Sequence, residues 1–265
     1  MFEGSLPPPR KRFGQNFLHD ARVIEKIIEA INPHQQQKLL EIGPGRGALT
    51  FPMLNKGVDL TALEIDRDLV AYLKAKQPNL HVIEADALQF DYTTFAGGRK
   101  IRLFGNLPYN ISTPLLISLL PHLPEIEDLH FMLQKEVAAR ICAPPACKAY
   151  GRLSVLLQYY CETEALLEVA PMAFSPPPKV YSSLLRLRPY PKPPYPYVAP
   201  HILSQLLKLA FGHRRKILKT NLKPWINEEI LQSFNIDLLA RAEDLTVGIY
   251  AEIGNFLTVH GIMLS

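Results

Sequence analysis

Five consecutive residues, Gly105-Asn106-Leu107-Pro108-Tyr109, follow an apolar strand-like run and carry groups that can hold a flat base. The side-chain amide of Asn106 offers an oxygen that can accept one N–H of an exocyclic amine. Pro108 lacks an N–H and cannot continue a regular strand, so we expect the Leu107 carbonyl to be exposed as a second acceptor. Tyr109 offers an aromatic face for stacking. The alternative is purely structural: a turn that ends a strand, with the tyrosine in the core.

A glycine-rich turn lies earlier in the chain, in Leu39-Leu40-Glu41-Ile42-Gly43-Pro44-Gly45-Arg46-Gly47. A strand here leads directly into a turn and a helix, and glycines allow the backbone to turn sharply and approach a ligand closely. The spacing G-x-G-x-G differs from the G-x-G-x-x-G that holds a pyrophosphate at a helix N-terminus. A glycine turn alone is also typical of any tight strand–helix connection.

The next two predicted strands are each followed by an acid, Glu64 and Asp86. A carboxylate after the second strand can accept the ribose hydroxyls of a nucleoside, and one after the third can accept from an adenine amino group. Ligands of open α/β sheets lie at the carboxyl ends of the strands. The alternative is that both acids cap helices or stabilise first turns. The glycine turn, Glu64, Asp86 and Asn106 at four successive strand ends favour a site, and the combination resembles the S-adenosylmethionine-dependent methyltransferase fold.

Short apolar runs alternate with helical patterns through the first two-thirds of the chain. The predicted strands are 38–42, 60–64, 81–84, 101–104 and 129–133, and the predicted helices are 20–31, 48–54, 68–75, 114–120 and 135–142. This order with short loops is typical of a parallel sheet covered on both faces. Further strands are predicted at 165–169 and 183–187, around a proline-rich bend, and we expect them to close the sheet edge as an antiparallel hairpin.

A proline-rich segment, Pro189-Tyr190-Pro191-Lys192-Pro193-Pro194-Tyr195-Pro196, follows the last predicted strand. Its prolines exclude helix and central strand and predict a stiff, extended linker. Beyond it, the periodicity predicts helices at 202–209, 217–222, 228–234 and 250–259. The chain is therefore predicted to have a domain at 1–188, a linker at 189–200 and a small helical domain at 201–265.

Composition limits the classes of protein that the chain can belong to. Its 265 residues are 48% apolar, which fits a globular core, and no run is long and apolar enough to span a bilayer. The N-terminal basic cluster is not followed by a signal-peptide pattern. Three cysteines, an odd number without a CxxC pair, indicate reduced thiols. We expect a cytoplasmic protein without a metal site.

The basic residues are unevenly distributed, although the net charge is only +4. No acid occurs between Glu168 and Glu228, whereas that stretch carries ten lysines and arginines, and a second basic group lies at residues 10–12. A solvated face is the usual role of a short charge run. A run of this length without a carboxylate favours a polyanionic partner, and nucleic acid fits it better than a membrane.

Several separated motifs resemble those of one family, the KsgA family of small-subunit ribosomal RNA adenine N6-dimethyltransferases. The matching segments are Lys11-Arg12-Phe13-Gly14-Gln15-Asn16-Phe17-Leu18, Leu40-Glu41-Ile42-Gly43-Pro44-Gly45, Gly105-Asn106-Leu107-Pro108-Tyr109-Asn110-Ile111-Ser112, Phe174-Ser175-Pro176-Pro177-Pro178-Lys179-Val180 and Ala210-Phe211-Gly212-His213-Arg214-Arg215-Lys216. The resemblance covers nearly the whole chain. The full-length fit and the last segment distinguish it from the Erm-type large-subunit enzymes.

The resemblance implies an α/β fold class. The expected domain is a Rossmann-like S-adenosylmethionine-dependent methyltransferase domain with a mixed seven-stranded sheet whose last strands are antiparallel, followed by a small all-α, RNA-binding domain. The implied enzyme uses S-adenosylmethionine to dimethylate N6 of two adjacent adenosines in the 3′-terminal hairpin of 16S ribosomal RNA during small-subunit biogenesis. The implied partner is small-subunit ribosomal RNA or the immature 30S particle, and we expect a monomer.

The resemblance also implies roles for single residues. Those expected to contact the cofactor are Asn16, Leu18, Gly43, Glu64, Asp86 and Asn106. Those expected to act on the target amine and base are Asn106, Leu107, Tyr109 and Phe174, with Phe174 packed on the base opposite Tyr109. Those expected to contact RNA are Arg10, Lys11, Arg12, Arg214, Arg215, Lys216 and Lys219.

Two residues depart from the family pattern. Arg46 stands where a small or apolar residue is expected, and Tyr181 stands where members usually carry an acid. If that acid orders its loop or balances Lys179, this chain must do so by other means.

Other function classes remain open from the sequence. An Erm-type large-subunit methyltransferase is one alternative, and a non-catalytic ribosome assembly factor that uses the same basic surface is another. The glycine spacing and the Asn-Leu-Pro-Tyr segment argue against a dinucleotide oxidoreductase. The N-terminal and helical segments argue against a protein or DNA N-methyltransferase.

Overall fold

The computed structural model describes residues 6–10, 14–213 and 215–264. The chain divides into two compact units. The first unit comprises Met1–Ala138 and Glu164–Pro189, and the second comprises Ala139–Thr163 and Tyr190–Ser265.

The first unit is built on a seven-stranded mixed sheet with the strand order β4-β3-β2-β5-β6-β9-β7. Its strands are β2 (Lys38–Ile42), β3 (Asp59–Glu64), β4 (His81–Glu84), β5 (Ile101–Asn106), β6 (Ile126–Gln134), β7 (Cys161–Val169) and β9 (Ser182–Pro189). The strands β2 to β6 pair in parallel, and β9 pairs antiparallel with β6. Two short strands, β1 (Phe17–Leu18) and β8 (Phe174–Ser175), form a separate antiparallel pair.

The strand order reverses between β2 and β5, which are neighbours in the sheet although β3 and β4 lie between them in sequence. Such a switch point opens a crevice at the carboxyl ends of the two strands. Gly43 follows β2 directly, and Asn106 is the last residue of β5. The topology therefore brings the glycine turn and the Asn-Leu-Pro-Tyr segment to the same crevice.

The α-helices lie between the strands and after the last strand. They are α1 (Ala21–Ile31), α2 (Thr50–Leu54), α3 (Arg67–Lys76), α4 (Tyr92–Ala96), α5 (Tyr109–Ser118), α6 (Lys135–Ile141), α7 (Arg152–Tyr160), α8 (Pro200–Ala210), α9 (Leu218–Leu222), α10 (Glu228–Ser233) and α11 (Val247–Val259). Local chemistry sets several ends. Asp20 caps α1 by accepting from the N–H groups of Arg22 and Val23 at 2.9 and 3.1 Å, and Asn32 ends this helix in the left-handed conformation.

The predicted mixed seven-stranded sheet is confirmed. The sequence missed α4, which is one short turn, and α7. Five of the nine α7 residues are buried, Ser154 to Leu157 and Tyr159, so the helix lacks the one-sided apolar pattern that periodicity detects. It packs against α8 and α11. For that reason residues 139–163 belong to the second unit, whereas the predicted boundary at 188 assigns them to the first domain.

The proline-rich segment is a packed part of the second unit rather than a free linker. The Tyr159 hydroxyl donates to the Pro196 carbonyl at 2.9 Å and accepts from the Val198 N–H at 3.0 Å. The Tyr195 ring stacks on the Tyr159 ring with centroids 5.8 Å apart. Proline thus gives the segment its extended shape, and tyrosines fasten it to α7. Within the described residues, no helix is long and apolar enough to cross a membrane.

Candidate cofactor and target-base site

A cavity of about 190 Å³ lies at the carboxyl edge of the parallel strands. Eight of the nine residues predicted for the cofactor, amine and base line it: Asn16, Leu18, Gly43, Glu64, Asp86, Asn106, Leu107 and Tyr109. They come from five separate segments of the chain. The structure therefore brings together the predicted cofactor residues and most of the predicted target-base residues.

The glycine turn forms one wall of the cavity. Gly43 and Gly45 have φ angles of +67° and +58°, which glycine adopts at no steric cost. A Cβ atom at position 45 would lie 3.0 Å from the Phe17 ring. The turn can therefore present backbone to a ligand with no side chain between them.

Glu64, the last residue of β3, is buried and turned back onto its own loop. Its Oε1 accepts from the N–H groups of Ile65 and Asp66 at 2.9 and 3.0 Å, and its Oε2 accepts from Gly45 N–H at 3.2 Å. Burial raises the pKa of Glu64, although these three hydrogen bonds favour the charged form. A carboxylate offers about four acceptor positions, so Oε2 keeps one for a ligand hydroxyl.

Asp86 lies two residues beyond the end of β4 and is half-buried. Its Oδ1 accepts from the Leu88 N–H at 2.9 Å, which closes a small turn, and its Oδ2 lies 3.5 Å from the Gln89 amide nitrogen. The turn orients the Asp86 carboxylate, and the remaining acceptor positions of this carboxylate are available to an amino group.

The alternative role of Glu64 as a helix cap is not observed, because the N-cap of α3 is Asp66.

Asn106 is oriented by the N-terminal segment. Its amide nitrogen donates to the Asn16 carbonyl at 2.8 Å. The amide nitrogen is therefore occupied by this hydrogen bond, and Oδ1 is left as the acceptor for an amine. Leu107 is buried and its N–H donates to the Met132 carbonyl at 3.3 Å, so any contact with a ligand comes from its backbone.

Tyr109 begins α5 and is half-buried, with its hydroxyl 2.7 Å from the Ser182 hydroxyl. Burial raises the pKa of the Tyr109 phenol, and the hydrogen bond with Ser182 partly offsets the rise. Ser182 is fully buried at the start of β9. The ring is therefore held at its far end, which leaves its face as the part that can stack on a base.

Glu41 also lines the cavity and was not predicted as a site residue. It is fully buried on β2, and its Oε2 accepts from the Thr50 hydroxyl at 2.6 Å. Burial raises the pKa of Glu41 to about 8, opposed by the Thr50 hydrogen bond and assisted by the charge of Glu64. An acid inside an apolar strand was the available signal, because a buried carboxyl needs a reason to be there.

Phe174 is not where the sequence analysis expected it. Its side chain is 2% exposed and packs in the core cluster with Leu18 and Leu184, and it does not line the cavity. Successive residues of a strand point to opposite faces, and β8 turns Ser175 outward and Phe174 inward. In this structure Tyr109 alone of the two rings reaches the site.

Arg10 was predicted to contact RNA, but its guanidinium is engaged elsewhere. It pairs with Asp66 at 2.9 Å and also with Asp68, while Gln15 donates to Asp66 at 3.2 Å. These contacts tie the N-terminal segment to the loop after β3. Arg10 therefore has a structural role beside Glu64. Lys11, Arg12 and Arg214 lie outside the described residues.

The other predicted RNA contacts lie in the second unit. Arg215 and Lys216 are exposed beyond α8. Lys219 on α9 is ion-paired with Glu228 at 3.2 Å. Glu228, the first acid after the carboxylate-free stretch, therefore lies against that stretch. It neutralises the charge of Lys219, one of the residues predicted to contact RNA.

Arg46, the departure in the glycine turn, fastens the N-terminal segment as well. Its guanidinium donates to the Pro7 carbonyl at 2.6 and 3.1 Å and lies 4.3 Å from the centre of the Phe17 ring. Phe17 precedes Leu18, a predicted cofactor contact. A small residue here would lose both contacts.

The donor set fits a nucleoside cofactor. The glycine turn leaves room for a ligand against backbone, Oε2 of Glu64 can accept a ribose hydroxyl, and Asp86 can accept from an adenine amine. Glu41 supplies a buried carboxyl in the same cavity, which suits a cationic group.

Known proteins resemble this chain over nearly its whole length. The sequence model of the family "Ribosomal RNA adenine dimethylase" matches residues 8–258. The chain is 51% identical over 253 residues to the ribosomal RNA small subunit methyltransferase A of Legionella pneumophila subsp. pneumophila, with 94% of this chain and 98% of that protein covered. It is 47% identical over 252 residues to the protein of the same name from Pseudomonas aeruginosa, with 94% of each chain covered.

Solved structures show the same fold. A dimethyladenosine transferase from Plasmodium falciparum superposes with a TM-score of 0.75 at 23% identity, over 94% of this chain and 100% of that one. The 23S rRNA methyltransferase ErmE superposes with a TM-score of 0.70 at 25% identity, over 89% of this chain and 96% of that one. By sequence and by fold, the chain belongs to the ribosomal RNA adenine dimethylase family.

Proposed function

We propose that this protein transfers methyl groups from S-adenosylmethionine to N6 of two adjacent adenosines in the 3′-terminal hairpin of 16S ribosomal RNA. The strongest support is that one cavity is lined by two sets of residues. Glu64, Asp86 and the glycine turn suit a nucleoside cofactor, and Asn106, Leu107 and Tyr109 suit a base with an exocyclic amine. The small-subunit target is favoured because the relatives with 47–51% identity carry that name, whereas the large-subunit enzyme ErmE is 25% identical.

Each residue of the cavity has a proposed role toward the cofactor. Glu64 accepts a ribose hydroxyl on Oε2, Asp86 accepts the adenine amine, and Gly43 and Gly45 lie against the ligand. Glu41 faces its cationic end. When bound, S-adenosylmethionine supplies a methyl group activated by a sulfonium.

The target amine is a poor nucleophile because its lone pair is delocalised into the adenine ring. Asn106 Oδ1 and the Leu107 carbonyl accept hydrogen bonds from its two N–H groups. These hydrogen bonds direct the nitrogen lone pair toward the methyl group. Positioning of this kind supplies much of the rate in a two-substrate reaction. Tyr109 stacks on the base, which must leave the RNA stack to enter the cavity.

The proposed partner is the immature 30S particle, with unpaired RNA as the local target. Arg215 and Lys216 are the exposed cations that support an RNA contact in the second unit. We propose that the protein acts as a monomer in the cytoplasm, where the small subunit matures. The proposed contact of Phe174 with the base requires its ring to leave the core.

The function is tested by incubating the protein with radiolabelled cofactor and under-methylated 30S particles, followed by mapping of the labelled nucleotides. We expect label on two adjacent adenosines of the small-subunit RNA and dimethylated product on digestion. Asn106→Ala is the control, because it should keep the fold and much of the affinity for 30S particles while losing transfer. Label on 50S particles in a parallel incubation, with none on 30S particles, would support the large-subunit alternative. Binding of 30S particles without transfer by the wild-type protein would support the assembly-factor alternative.

A further inference from the structure

Tyr181 is an exposed aromatic residue at the edge of the sheet that carries the candidate site. It is 49% exposed and immediately precedes β9. Because β9 runs antiparallel to β6, its first residue lies at the edge where β5 and β6 end. Asn106 is the last residue of β5. Tyr181 is therefore on the same edge as the proposed target-base contacts.

Two contacts fix the backbone around Tyr181. Its carbonyl accepts from the Lys135 N–H at 2.9 Å. The next residue, Ser182, is fully buried, and its hydroxyl is 2.7 Å from that of Tyr109. The exposed ring is thus anchored one residue away from the partner of Tyr109. A fixed backbone lowers the conformational freedom that must be lost when the ring binds a ligand.

The charges around Tyr181 suit a polyanion. The Lys135 ammonium is 5.8 Å from the centre of the Tyr181 ring, and Lys179 is exposed in the same loop. Glu168 on β7 pairs with Lys135 at 2.7 Å. A carboxylate on the neighbouring strand therefore neutralises Lys135, and the exposed Lys179 is the cation that the loop offers to a polyanion.

We propose that Tyr181 stacks on an unpaired nucleotide beside the target adenosine and so positions the RNA for transfer. The inference rests on the proposed function and adds a specificity contact to it. Exposed aromatic rings beside cations are the usual platforms for unpaired bases, since every base has a face that can stack. Residues 176–181 carry Lys179 and no acid, which favours a negatively charged partner such as RNA.

The test compares three variants at position 181 with a control elsewhere. Tyr181→Ala removes the ring, Tyr181→Phe keeps it without the hydroxyl, and Tyr181→Asp restores the acid. Tyr197→Ala is the matched control, because Tyr197 is 67% exposed and belongs to the second unit. The measurements are KM for under-methylated 30S particles, kcat and the cofactor Kd by calorimetry.

We expect Tyr181→Ala to raise the KM for 30S particles about 5- to 100-fold, the range for the loss of one stacked base. Tyr181→Phe should stay within about twofold of wild type, and Tyr181→Asp should be at least as impaired as alanine. The cofactor Kd should not change in any variant, because Tyr181 does not line the cavity. Tyr197→Ala should match wild type.

A direct readout uses an RNA hairpin with 2-aminopurine in place of the nucleotide on either side of the target. Stacking on Tyr181 should quench the fluorescence in wild type and Tyr181→Phe but not in Tyr181→Ala. An unchanged KM and equal quenching in a folded Tyr181→Ala protein would overturn the inference, as would a phenylalanine variant as impaired as alanine. If the wild-type protein transfers no methyl group to 30S RNA, the proposed function fails instead.

Discussion

Most acceptor positions of the Glu64 carboxylate are occupied by backbone N–H groups of other residues. Three N–H groups occupy three positions, and one remains on Oε2. For both ribose hydroxyls to bind, as the sequence analysis expected, one backbone donor must move away. The same carboxylate therefore stabilises the glycine turn and is proposed to contact the cofactor, so its removal should affect both.

We expect Glu64→Ala to weaken S-adenosylmethionine binding at least about 10- to 100-fold, since a charge-assisted hydrogen bond contributes about 1.5–3 kcal/mol. Calorimetry measures the change, and circular dichroism checks the fold. Glu84→Ala is the control, because Glu84 ends the adjacent strand but pairs with Arg67 on the surface. Equal affinity in wild type and a folded Glu64→Ala protein would remove Glu64 from the site.

Glu41 makes stability depend on pH. Burial raises its pKa from 4.5 to about 8, so between these values the folded protein holds a proton that the unfolded chain releases. The contribution of this proton to the free energy of unfolding is therefore fully present below the unfolded pKa of 4.5. It is lost as pH rises through the folded pKa of about 8. The slope contributed by one group is at most about 1.4 kcal/mol per pH unit.

The variant Glu41→Gln keeps the shape of the side chain and cannot titrate. We expect its free energy of unfolding to fall less than that of wild type between about pH 5 and 8, as measured by urea unfolding at a series of pH values. Binding of the cationic cofactor should release the Glu41 proton in wild type and not in the variant. Calorimetry would detect the release as a binding enthalpy that varies with the ionisation enthalpy of the buffer. Parallel stability curves for the two proteins would show that Glu41 does not titrate in this window.

At the scale of secondary structure, the pairing of β1 with β8 holds Asn16, Leu18 and the Phe174 segment together. Leu18 lies opposite Phe174, and the Asn16 carbonyl, one residue before β1, orients Asn106. The two short strands thus connect the N-terminal segment to the wall of the site. Phe174 contributes to this arrangement from the core.

Truncation of Phe174 should therefore cost stability. We expect Phe174→Ala to lower the free energy of unfolding by about 3–5 kcal/mol, the usual cost of removing a buried phenylalanine ring. Met172→Ala, in the same segment but 77% exposed, should change it by less than about 0.5 kcal/mol. The measurement is urea unfolding. A Phe174→Ala protein with wild-type stability but no transfer would instead support a role on the target base alone.

At the scale of the whole molecule, the two units carry separate proposed tasks. The first unit holds the cofactor cavity and the base-holding residues, and the second carries the exposed cations Arg215 and Lys216. Lys219, also predicted to contact RNA, differs from these two residues because it is ion-paired with Glu228. A phosphate contact by Lys219 would have to compete with this ion pair.

If Arg215 and Lys216 contact phosphates, replacing both by alanine should weaken 30S binding and flatten its salt dependence. Each lost contact should reduce the log–log slope by roughly 0.7–0.9, and Lys219→Ala should reduce it less. The double variant Lys74→Ala/Lys76→Ala, on the exposed surface of α3, controls for net charge. A slope equal to that of wild type would mean that these two cations do not contact the RNA.

The sequence by itself determined the parts of the fold that depend on neighbouring residues. Strand patterns predicted all seven sheet strands, with errors only at their ends, and the rule that ligands lie at carboxyl ends predicted that Gly43, Glu64, Asp86 and Asn106 share one cavity. Local hydrogen bonding and side-chain alternation are encoded within a few residues, so they can be inferred without tertiary contacts.

Only the tertiary structure decided which distant groups meet. Arg10 pairs with Asp66, 56 residues away, and Asn106 is oriented by the carbonyl of Asn16, 90 residues away. The burial of Phe174 and the raised pKa of Glu41 depend in the same way on segments packed around them. For a charged or aromatic side chain, the sequence contains several residues of the same chemical type that could be its partner. The packing of remote segments selects one of them, because burying an unpaired polar group costs free energy.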